Sequence, residues 1–477
     1  MGQEIERTRF SPADFAAFDA RLRAETALLH DWFRDAAFSS RDRVGGFELE
    51  AWLIDAAGRP APVNAPFLAR LDDPLVVPEL ARFNVEVNSR PEPLCGQALS
   101  RMLAGLEATC ARCQRVAAEF DASLLAIGIL PTLREDDLTS GSMSDLKRYR
   151  ALNEQVLRQR EGRPLALEIH GREHLKTEHR DVMLEAATTS FQIHLKVAPD
   201  QAADYYNLAQ ILSAPMVAVS ANSPYLFGHD LWDETRIPVF EQSVAVGGFA
   251  AVAHGPLRRV GFGSGYARAS LFECFEENLA HFPILLPMVG DSAPERLEHL
   301  RLHNGTIWRW NRPLIGFDDD GTPHLRVEHR VVPAGPTLVD AIANAAFFFG
   351  LMQSLGSGAV APSLLLPFPV ARDNFHAAAR DGLDAHIHWL HDRHGRLQTL
   401  ILHDLLPLAS RGLEQLDIDR ADAERFLGVI RGRVENACTG AAWQRAFVAR
   451  HGPDWTALTL AYRERQASGA PVHEWGL

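Results

Sequence analysis

The stretch GGFELEAWLID, residues 45–55, carries two glutamates two positions apart inside an otherwise apolar run. Side chains alternate along a β-strand, so Glu48 and Glu50 point to one face of the strand. Phe47 and Leu49 then point to the other face. Two like charges one pleat apart repel each other, and burial strengthens the repulsion. Water or bound cations would have to compensate the two charges. For this segment taken alone, an ordinary half-exposed strand is the favoured interpretation.

The same alternation recurs in three later segments, FNVEVNS, SFQIHLKV and LRVEHRV. In each segment apolar side chains occupy one face of the predicted strand and polar side chains the other. The polar faces are rich in residues that ligate metals or hold anions, namely Glu86, Asn88, Gln192, His194, Glu328 and Arg330. A set dominated by oxygen ligands favours Mg²⁺ or Mn²⁺ over zinc. The simpler interpretation is an antiparallel sheet whose polar face is solvated.

The bulk composition is that of a soluble globular protein. The chain has 477 residues, 47% of them hydrophobic and 23% charged, and its formal net charge of −13 argues against nucleic-acid binding. Five cysteines are too few, and odd in number, for a disulfide framework, which favours a reducing compartment. The N-terminal residues carry no basic-then-apolar signal, and the apolar stretch 341–352 is too short to span a bilayer. These observations predict a cytoplasmic protein without a membrane segment.

The elements that must position the polar side chains follow from the helix and strand signals. Residues 11–38 and 97–121 have the periodicity of amphipathic helices, strand patterns recur through the first two-thirds of the chain, and the pattern from Leu338 onward is almost entirely helical. Runs of strands followed by runs of helices predict an α+β fold and not alternating βαβ units. We expect one catalytic unit over residues 1–477, divided into an N-terminal helix (1–40), a sheet-rich core (41–335) and a mainly helical C-terminal part (336–477).

Two histidine-rich stretches stand outside this scheme. HIHWLHDRH, 386–394, holds four histidines and is predicted to be helical. No set of acidic residues accompanies it, so an exposed or partly packed helix face is favoured over a metal site. IHGREHLKTEH, 169–179, adds three more histidines. The sequence does not decide whether this second stretch is a loop near the mouth of the sheet.

The order of the motifs resembles that of the glutamate–cysteine ligase family, most closely its bacterial carboxylate–amine ligase branch related to plant-type enzymes. The stretches that carry the resemblance are GGFELEAWLID, FNVEVNSRPEP, ATTSFQIHLKV, VSANSPYLFG, LRVEHRVVPAGPT, GAAWQRAF and PVHEWGL. The resemblance implies a glutamine-synthetase-like fold, in which a curved antiparallel sheet forms an open funnel and helices pack outside it. It also implies ATP and Mg²⁺. The γ-phosphoryl group would pass to a substrate carboxylate, and an amine would attack the acyl phosphate to form an amide.

The resemblance also implies roles for individual residues. The metal-binding positions correspond to Glu48, Glu50, Glu86, His194 and Glu328. The catalytic positions correspond to Arg330 and Glu328, and the nucleotide-binding wall includes Gln192 and Arg330. The substrate-binding positions correspond to Arg236, Asn88 and Tyr149, with Arg258, Arg259 and Arg268 competing for the role of the substrate-side arginine. Many relatives carry a second histidine where this chain has Gln192.

The implied partners are small molecules, a glutamate-like amino acid as the acid and an amine that the sequence does not identify, in an enzyme that could form a homo-oligomer. Three other functions stay open. A phosphagen-type kinase shares this sort of sheet and stops after phosphoryl transfer. A metal-dependent hydrolase would use Glu and His to activate water without ATP. A catalytically degenerate binding protein is disfavoured, because a scaffold gains little from clustered like charges.

Overall fold

The computed structural model describes residues 5, 7–41, 43–245, 258–358 and 360–477. Within these residues eight strands form one sheet and eight more form two-stranded pairs. The strands are β1 Val44–Ile54, β2 Val76–Pro78, β3 Asn84–Asn88, β4 Glu92–Pro93, β5 Ser123–Leu125, β6 Leu165–His170, β7 His174–His179, β8 Phe191–Val197, β9 Tyr225–Leu226, β10 His229–Asp230, β11 Val260–Gly261, β12 Trp308–Arg309, β13 Asn311–Phe317, β14 Pro323–His329, β15 His386–Trp389 and β16 Arg393–Arg396. The helices of the same ranges are α1 Pro12–Arg34, α2 Asn64–Leu71, α3 Ala98–Ala118, α4 Lys147–Gln159, α5 Ala202–Ser220, α6 Arg236–Ser243, α7 Phe272–His281, α8 Glu298–Gly305, α9 Leu338–Gly356, α10 Phe368–Asp381, α11 Leu397–Leu400, α12 Leu406–Gln415, α13 Arg420–Glu435, α14 Gly440–His451 and α15 Trp455–Ala467.

The large sheet runs in the order β13-β14-β8-β1-β3-β2, with β4 and β5 also paired to β1. Every pairing in this sheet is antiparallel, and the sheet curls into a half-barrel. Because β1 lies between β8 and β3, segments far apart in the sequence become hydrogen-bonded neighbours. The α+β class and the curved antiparallel sheet expected from the sequence are confirmed.

The alternation of side chains gives this sheet two different faces. On one face the apolar side chains of β1 and β8 are buried, and α5 and α9 pack against the sheet. Phe348 of α9 stacks on His329 with ring centroids 4.4 Å apart. A Cβ on Gly45 would lie 2.7 Å from the ring of Phe349, so this close approach requires glycine in β1. The other face carries the glutamates and forms the wall of the funnel.

The C-terminal helices pack around α9, which is buried along most of its length. Thr337 caps this helix, because its hydroxyl oxygen accepts a hydrogen bond from the backbone N of Asp340 at 3.1 Å. Arg433 of α13 donates to Oδ1 of Asp340 at 2.7 Å, and both side chains are almost fully buried. This buried ion pair therefore joins two helices of the C-terminal part inside the core.

Among the described residues, α9 is the one helix long and apolar enough to cross a membrane, judged by length and composition alone. The helix has 19 residues. The apolar stretch 341–352, which by itself is too short to span a bilayer, is therefore only part of it. However, 72% of its apolar window is buried inside the structure, as in the core helix of a folded domain.

The prediction of a helix at 386–394 was wrong, because these residues form most of the hairpin β15–β16. His388 lies opposite His394 in the strand register, and the turn residues His391 and Asp392 both have positive φ. Positive φ at successive positions is typical of tight hairpin turns and not of helices. Residues of β15 alternate between exposed and buried, which is the period of a strand. The spacing of three between His388, His391 and His394 had suggested a helix instead.

The second histidine-rich stretch, 169–179, is also largely a hairpin, built from β6 and β7, where the sequence left a loop open. Near the N-terminus, α1 begins where the sequence predicts, because Ser11 caps it with its hydroxyl and Asp14 completes a capping box. The helix ends at Arg34 and not at residue 38. Helix boundaries were thus predicted within a few residues, whereas both short hairpins needed the structure.

Candidate active site

The polar strand faces meet on one side of the large sheet. Glu50 of β1 lies opposite Glu86 of β3 in the strand register. Glu328 of β14 lies opposite His194 of β8. Glu48 precedes Glu50 on β1 and shares its face. The residues singled out from four separate segments therefore gather on adjoining strands, because antiparallel pairing in register aligns faces of the same kind.

Glu48, His194 and Glu328 form one group, here called the histidine cluster. Nε2 of His194 lies 3.4 Å from a carboxylate oxygen of Glu48 and 3.7 Å from one of Glu328. One ligand atom from each residue lies within 4.8 Å of the other two, close enough to share a cation. Neither ring nitrogen of His194 has a hydrogen-bond partner among the described residues. Burial lowers the pKa of this imidazole to about 3, so the ring is neutral and able to ligate a metal.

Two arginines balance the charge of Glu328. Arg312 donates from Nε and Nη2 to the two carboxylate oxygens at 2.7 and 2.9 Å, a bidentate pair. Arg330 donates to Glu328 at 3.2 Å and also to the side-chain oxygen of Gln192. Burial acts to raise the pKa of Glu328, but the two guanidinium groups outweigh it and hold that pKa well below its usual value. Glu328 is therefore ionised and fixed in orientation.

Glu50, Glu79 and Glu86 form a second group, the glutamate cluster, whose ligand atoms also lie within 4.8 Å of one another. Burial is the main cause that raises the pKa of all three carboxyls, to about 7 for Glu50, and repulsion from neighbouring glutamates adds to it. Glu50 accepts hydrogen bonds from Gln192 at 2.8 Å and from the backbone N of Ser190 at 2.6 Å. Three closely spaced carboxyls with raised pKa values, two of them on buried residues and the third on the half-buried Glu50, are an arrangement that a divalent cation would stabilise.

Arg236, predicted to hold a substrate carboxylate, is 2% exposed. It donates to the carboxylate of Glu234 at 3.1 Å and to the backbone oxygens of Arg330 and Val331. Its guanidinium therefore supports the chain that carries Arg330. A contact with substrate stays a prediction for this residue.

The other residues predicted to bind substrate lie in different surroundings. Tyr149 lines the cavity described below, and its hydroxyl donates to the backbone oxygen of Pro78 at 3.0 Å. Asn88 lies on β3, where its amide donates to Glu86 in the glutamate cluster at 3.0 Å. Of the three competing arginines, Arg259 is buried and donates to backbone carbonyl groups, whereas the other two are exposed. The substrate roles of Tyr149 and Asn88 also stay predictions.

A cavity of about 410 Å³ opens beside the histidine cluster. All three members of that cluster line it, together with Arg301, Arg312 and Arg326. Much of the remaining lining is apolar or aromatic and includes Leu152, Phe275, Leu286, Leu302, Trp308, Leu314 and Ile315. The buried donors Nε1 of Trp308 and Nε of Arg326 have no hydrogen-bond partner in the described part of the chain, and the same holds for Oε2 of Glu298 and for the ring nitrogens of His194. A concave site with apolar walls and unpartnered donors suits an anionic ligand that carries a ring system.

Sequence reasoning missed three residues that lie in or beside the two clusters. Glu79 follows the three-residue strand β2, too short for an alternating pattern, and only the pairing of β2 with β3 reveals it. Arg312 lies on the edge strand β13 next to Pro313, and a proline in a segment gives no local signal of a strand although edge strands tolerate it. Glu185 has its pKa raised to about 8 by burial and by the charge of Glu50. Its position depends on the fold, because it lies outside every strand.

Comparison with solved structures relates this fold to known ligases. Glutamate–cysteine ligase from Francisella tularensis, in complex with AMP, has a TM-score of 0.53 and 12% identity, and the match covers 92% of this chain and 90% of that chain. A bifunctional glutathione synthetase from Pasteurella multocida has a TM-score of 0.52 and 12% identity, and the match covers 93% of this chain and 55% of that chain. At such identities the likeness shows the fold alone. It confirms the glutamine-synthetase-like funnel with helices outside it.

Comparison at the level of sequence settles the family. No curated protein matches the chain. A family model described as glutamate-cysteine ligase family 2 matches residues 44–467, which is most of the chain. That match includes every strand of the large sheet and every residue of both carboxylate clusters. The resemblance noted from the short motifs is thus confirmed, and the chain belongs to glutamate-cysteine ligase family 2.

Proposed function

We propose that this protein is an ATP-dependent ligase that joins the carboxylate of a glutamate-like amino acid to an amine. One observation carries the proposal: two carboxylate clusters and Arg330 share one wall, and unpartnered donors line the cavity beside it. Transfer of a phosphoryl group to a carboxylate brings several anions together, and fixed positive charge must oppose them. Family membership supports this reaction class, and the AMP in the Francisella structure supports a nucleotide as the ligand of the cavity.

The donor sets fit Mg²⁺, or Mn²⁺ in its place. The histidine cluster offers two carboxylates and a neutral imidazole whose nitrogens lack partners in the described chain, and the glutamate cluster offers three carboxylates. Hard cations prefer such oxygen-rich sets. We propose that each cluster holds one cation. When bound, the ions supply positive charge that neutralises the nucleotide phosphates and the substrate carboxylate.

Arg330 is placed to stabilise the phosphoryl group during its transfer. Burial acts to lower its pKa, but the nearby glutamates raise it above its usual value, so the guanidinium stays charged. Gln192 and Glu328 accept hydrogen bonds from it and hold the planar group in place. A charged, preorganised donor of this kind stabilises the phosphoryl oxygens while the bond to ADP breaks and the bond to the carboxylate oxygen forms.

The cavity is the proposed place for the nucleotide. Its apolar lining suits a purine base, while Nε1 of Trp308 and the guanidinium of Arg326 offer donors to the polar atoms of the ligand. After phosphoryl transfer the amine attacks the acyl carbon, phosphate leaves with the electron pair of the broken C–O bond, and the amine loses a proton. The product is an amide, with ADP and phosphate released.

The experiment that tests the proposal measures ADP release with ATP, Mg²⁺ and glutamate while the amine is varied. We expect release that depends on both the acid and the amine, with one new amide, detected by mass spectrometry, per ADP. Glu48→Gln should abolish it, whereas Glu414→Gln, which changes an exposed glutamate of α12, should not. A phosphorylated guanidine as the only product would identify a kinase instead. Substrate hydrolysis without ATP would identify a hydrolase.

A further inference from the structure

The hairpin β6–β7 carries a different ligand set on its exposed face. Glu168 lies opposite Lys176, and His170 lies opposite His174. Residues directly opposite each other, and residues two apart on one strand, share a face, so all four side chains project together. We propose that Glu168, His170 and His174 form a binding site for one transition-metal ion of the Zn²⁺, Co²⁺ or Ni²⁺ type. The site is separate from the funnel and does not depend on the proposed ligase activity.

The carboxylate oxygen of Glu168 is already spaced from both imidazoles as two ligands of a single ion are, and one ligand atom of each residue lies within 4.8 Å of the other two. Oε1 of Glu168 lies 3.6 Å from Nε2 of His170 and 3.2 Å from Nε2 of His174. In a tetrahedral site with bonds of about 2.1 Å, neighbouring ligand atoms are about 3.4 Å apart. The two measured distances bracket that value. The imidazole rings are parallel within 4°, with centroids 4.2 Å apart. An ion in the plane of one ring would lie outside the plane of the other, so binding requires one of these exposed rings to rotate about its side-chain torsions.

Lys176 sets the orientation of the carboxylate. It donates to Oε2 of Glu168 at 3.1 Å, which leaves Oε1 facing the two imidazoles. Two imidazole nitrogens and one carboxylate oxygen are typical ligands of zinc and of other late transition metals, whereas Mg²⁺ prefers oxygen alone. His170 is 74% exposed and His174 49% exposed, so water can complete the coordination.

The backbone that carries these ligands is held by the rest of the protein. Gln242 of α6 accepts a hydrogen bond from the backbone N of Glu168 at 3.0 Å and donates to its backbone oxygen at 3.3 Å. The backbone oxygen of His170 accepts from Nε1 of Trp232 at 2.9 Å. At the tip of the hairpin, the backbone N of Glu173 donates to the backbone oxygen of Asp230 in β10, and that of Arg172 donates to the backbone oxygen of Leu231. A backbone held in this way lowers the entropy lost when three ligands gather around an ion.

The hairpin β15–β16 supplies an internal control. His388 and His394 also lie opposite each other, with ring centroids 4.1 Å apart. Among the described residues, however, no carboxylate joins this pair to make a set of three ligands. Replacing both of these histidines removes a histidine pair that is also exposed and leaves the proposed site intact.

The test is a titration of the metal-stripped, full-length protein with Zn²⁺ by calorimetry, at neutral pH and in millimolar Mg²⁺ to occupy the oxygen-rich clusters. We expect the wild-type protein to bind one Zn²⁺ more than the His170→Ala/His174→Ala variant, or to bind it more than about tenfold more tightly, because any Zn²⁺ that enters the histidine cluster is common to both proteins. The His388→Ala/His394→Ala variant should bind as the wild type does. Co²⁺ should give stronger visible absorption of tetrahedral type in the wild-type protein than in the first variant.

Crystals soaked in Zn²⁺ should show anomalous density between the three side chains. Because the substituted histidines are exposed, both variants should keep the wild-type unfolding temperature, so loss of binding would not reflect loss of fold. Unchanged stoichiometry and affinity in the His170→Ala/His174→Ala variant would overturn the proposal. So would equal loss in the β15–β16 control, or no Zn²⁺ binding by the wild type in the presence of Mg²⁺.

Discussion

The histidine cluster and the glutamate cluster share one face of the sheet but differ in how their charge is balanced. In the histidine cluster Arg312 and Arg330 pair with Glu328 and keep it ionised. In the glutamate cluster burial and mutual repulsion raise the pKa of the three carboxyls. In the histidine cluster the protein's own arginines therefore balance the charge. Ionising the glutamate cluster costs free energy of folding, so a cation bound there should stabilise the protein more than one bound in the histidine cluster.

The largest expected effect comes from the histidine cluster. Glu48→Gln should reduce ATP turnover at least about 100-fold, because a proposed metal ligand loses its charge. The fold should be retained, since Glu48 is 20% exposed. Glu328→Gln should cost as much turnover and also about 3–5 kcal/mol of stability, because it leaves buried arginines without their partner. ADP-release kinetics and urea denaturation measure the two quantities. Equal stability of the two variants would contradict the role of Glu328 in balancing the charge of the buried arginines.

Arg330→Lys should have the next largest effect. A lysine keeps the charge but loses the planar donor that bridges Gln192 and Glu328. We expect kcat to fall about 100-fold, with a smaller change in the Kd for ATP measured by calorimetry. Arg420→Lys, at an arginine of α13 that is 90% exposed, is the matched control and should change neither. Equal losses in kcat and in ATP affinity would count against stabilisation of the transition state by Arg330.

Glu79→Gln tests the glutamate cluster, and here the stability of the metal-free protein is expected not to fall. Burial and neighbouring glutamates raise the pKa of Glu79, so its removal should leave the metal-free protein at pH 8 as stable as the wild type or more so. The Mg²⁺ concentration needed for half-maximal turnover should rise about tenfold, because a proposed ligand is lost. Thermal unfolding without metal and a Mg²⁺ titration of activity check the two parts. A lower unfolding temperature of the metal-free variant would refute the electrostatic argument.

The smallest expected effect is a pH dependence of the metal-induced stabilisation. Glu50 and Glu185 have folded pKa values of about 7 and about 8, above those of an unfolded chain. The unfolded state then binds fewer protons, so the metal-free protein loses stability as pH rises through this range. His194 contributes in the opposite direction, but only below about pH 6.5, its ordinary pKa.

Mg²⁺ favours ionised carboxylates and should oppose that loss of stability. The difference in Tm with and without Mg²⁺ should therefore grow by a few degrees between about pH 6.5 and 8.5. Calorimetric scans at several pH values, with and without Mg²⁺, measure it. In Glu185→Gln the growth should be smaller, because a carboxyl that titrates in this range is gone. A difference in Tm that does not change with pH would contradict the raised pKa values of Glu50 and Glu185 and the contrast between the two clusters that depends on them.

Single-unit organisation over residues 1–477, location in the cytoplasm and assembly into oligomers stay predictions. The same holds for the assigned metal ligands and for the substrate roles of Asn88, Tyr149 and Arg236. The experiments above separate the ligand roles from the substrate roles, because metal dependence and acid or amine dependence are measured independently.

Local patterns in the chain were enough to predict α1, α3, most of the C-terminal helices, the four central strands and which side of each of these strands is polar. Alternation along β1, β3, β8 and β14 is a property of neighbouring residues, so it can be recognised without knowing the fold. The same local reasoning failed at 386–394, where histidines spaced three apart suggested a helix although the chain forms a hairpin. Spacing of one residue type is weaker information than the period of burial.

The sequence by itself determined that four strands each carry a face of ligand-type side chains, since the side-chain period is set by the backbone. Only the tertiary structure decided which of these faces meet. Pairing of β13 with β14 brings Arg312 to Glu328, and pairing of β2 with β3 brings the end of β2 beside Glu86. The separation into a charge-balanced cluster and a cluster of raised pKa depends on such long-range pairings. They are fixed by packing between distant segments, and a local pattern does not contain that information.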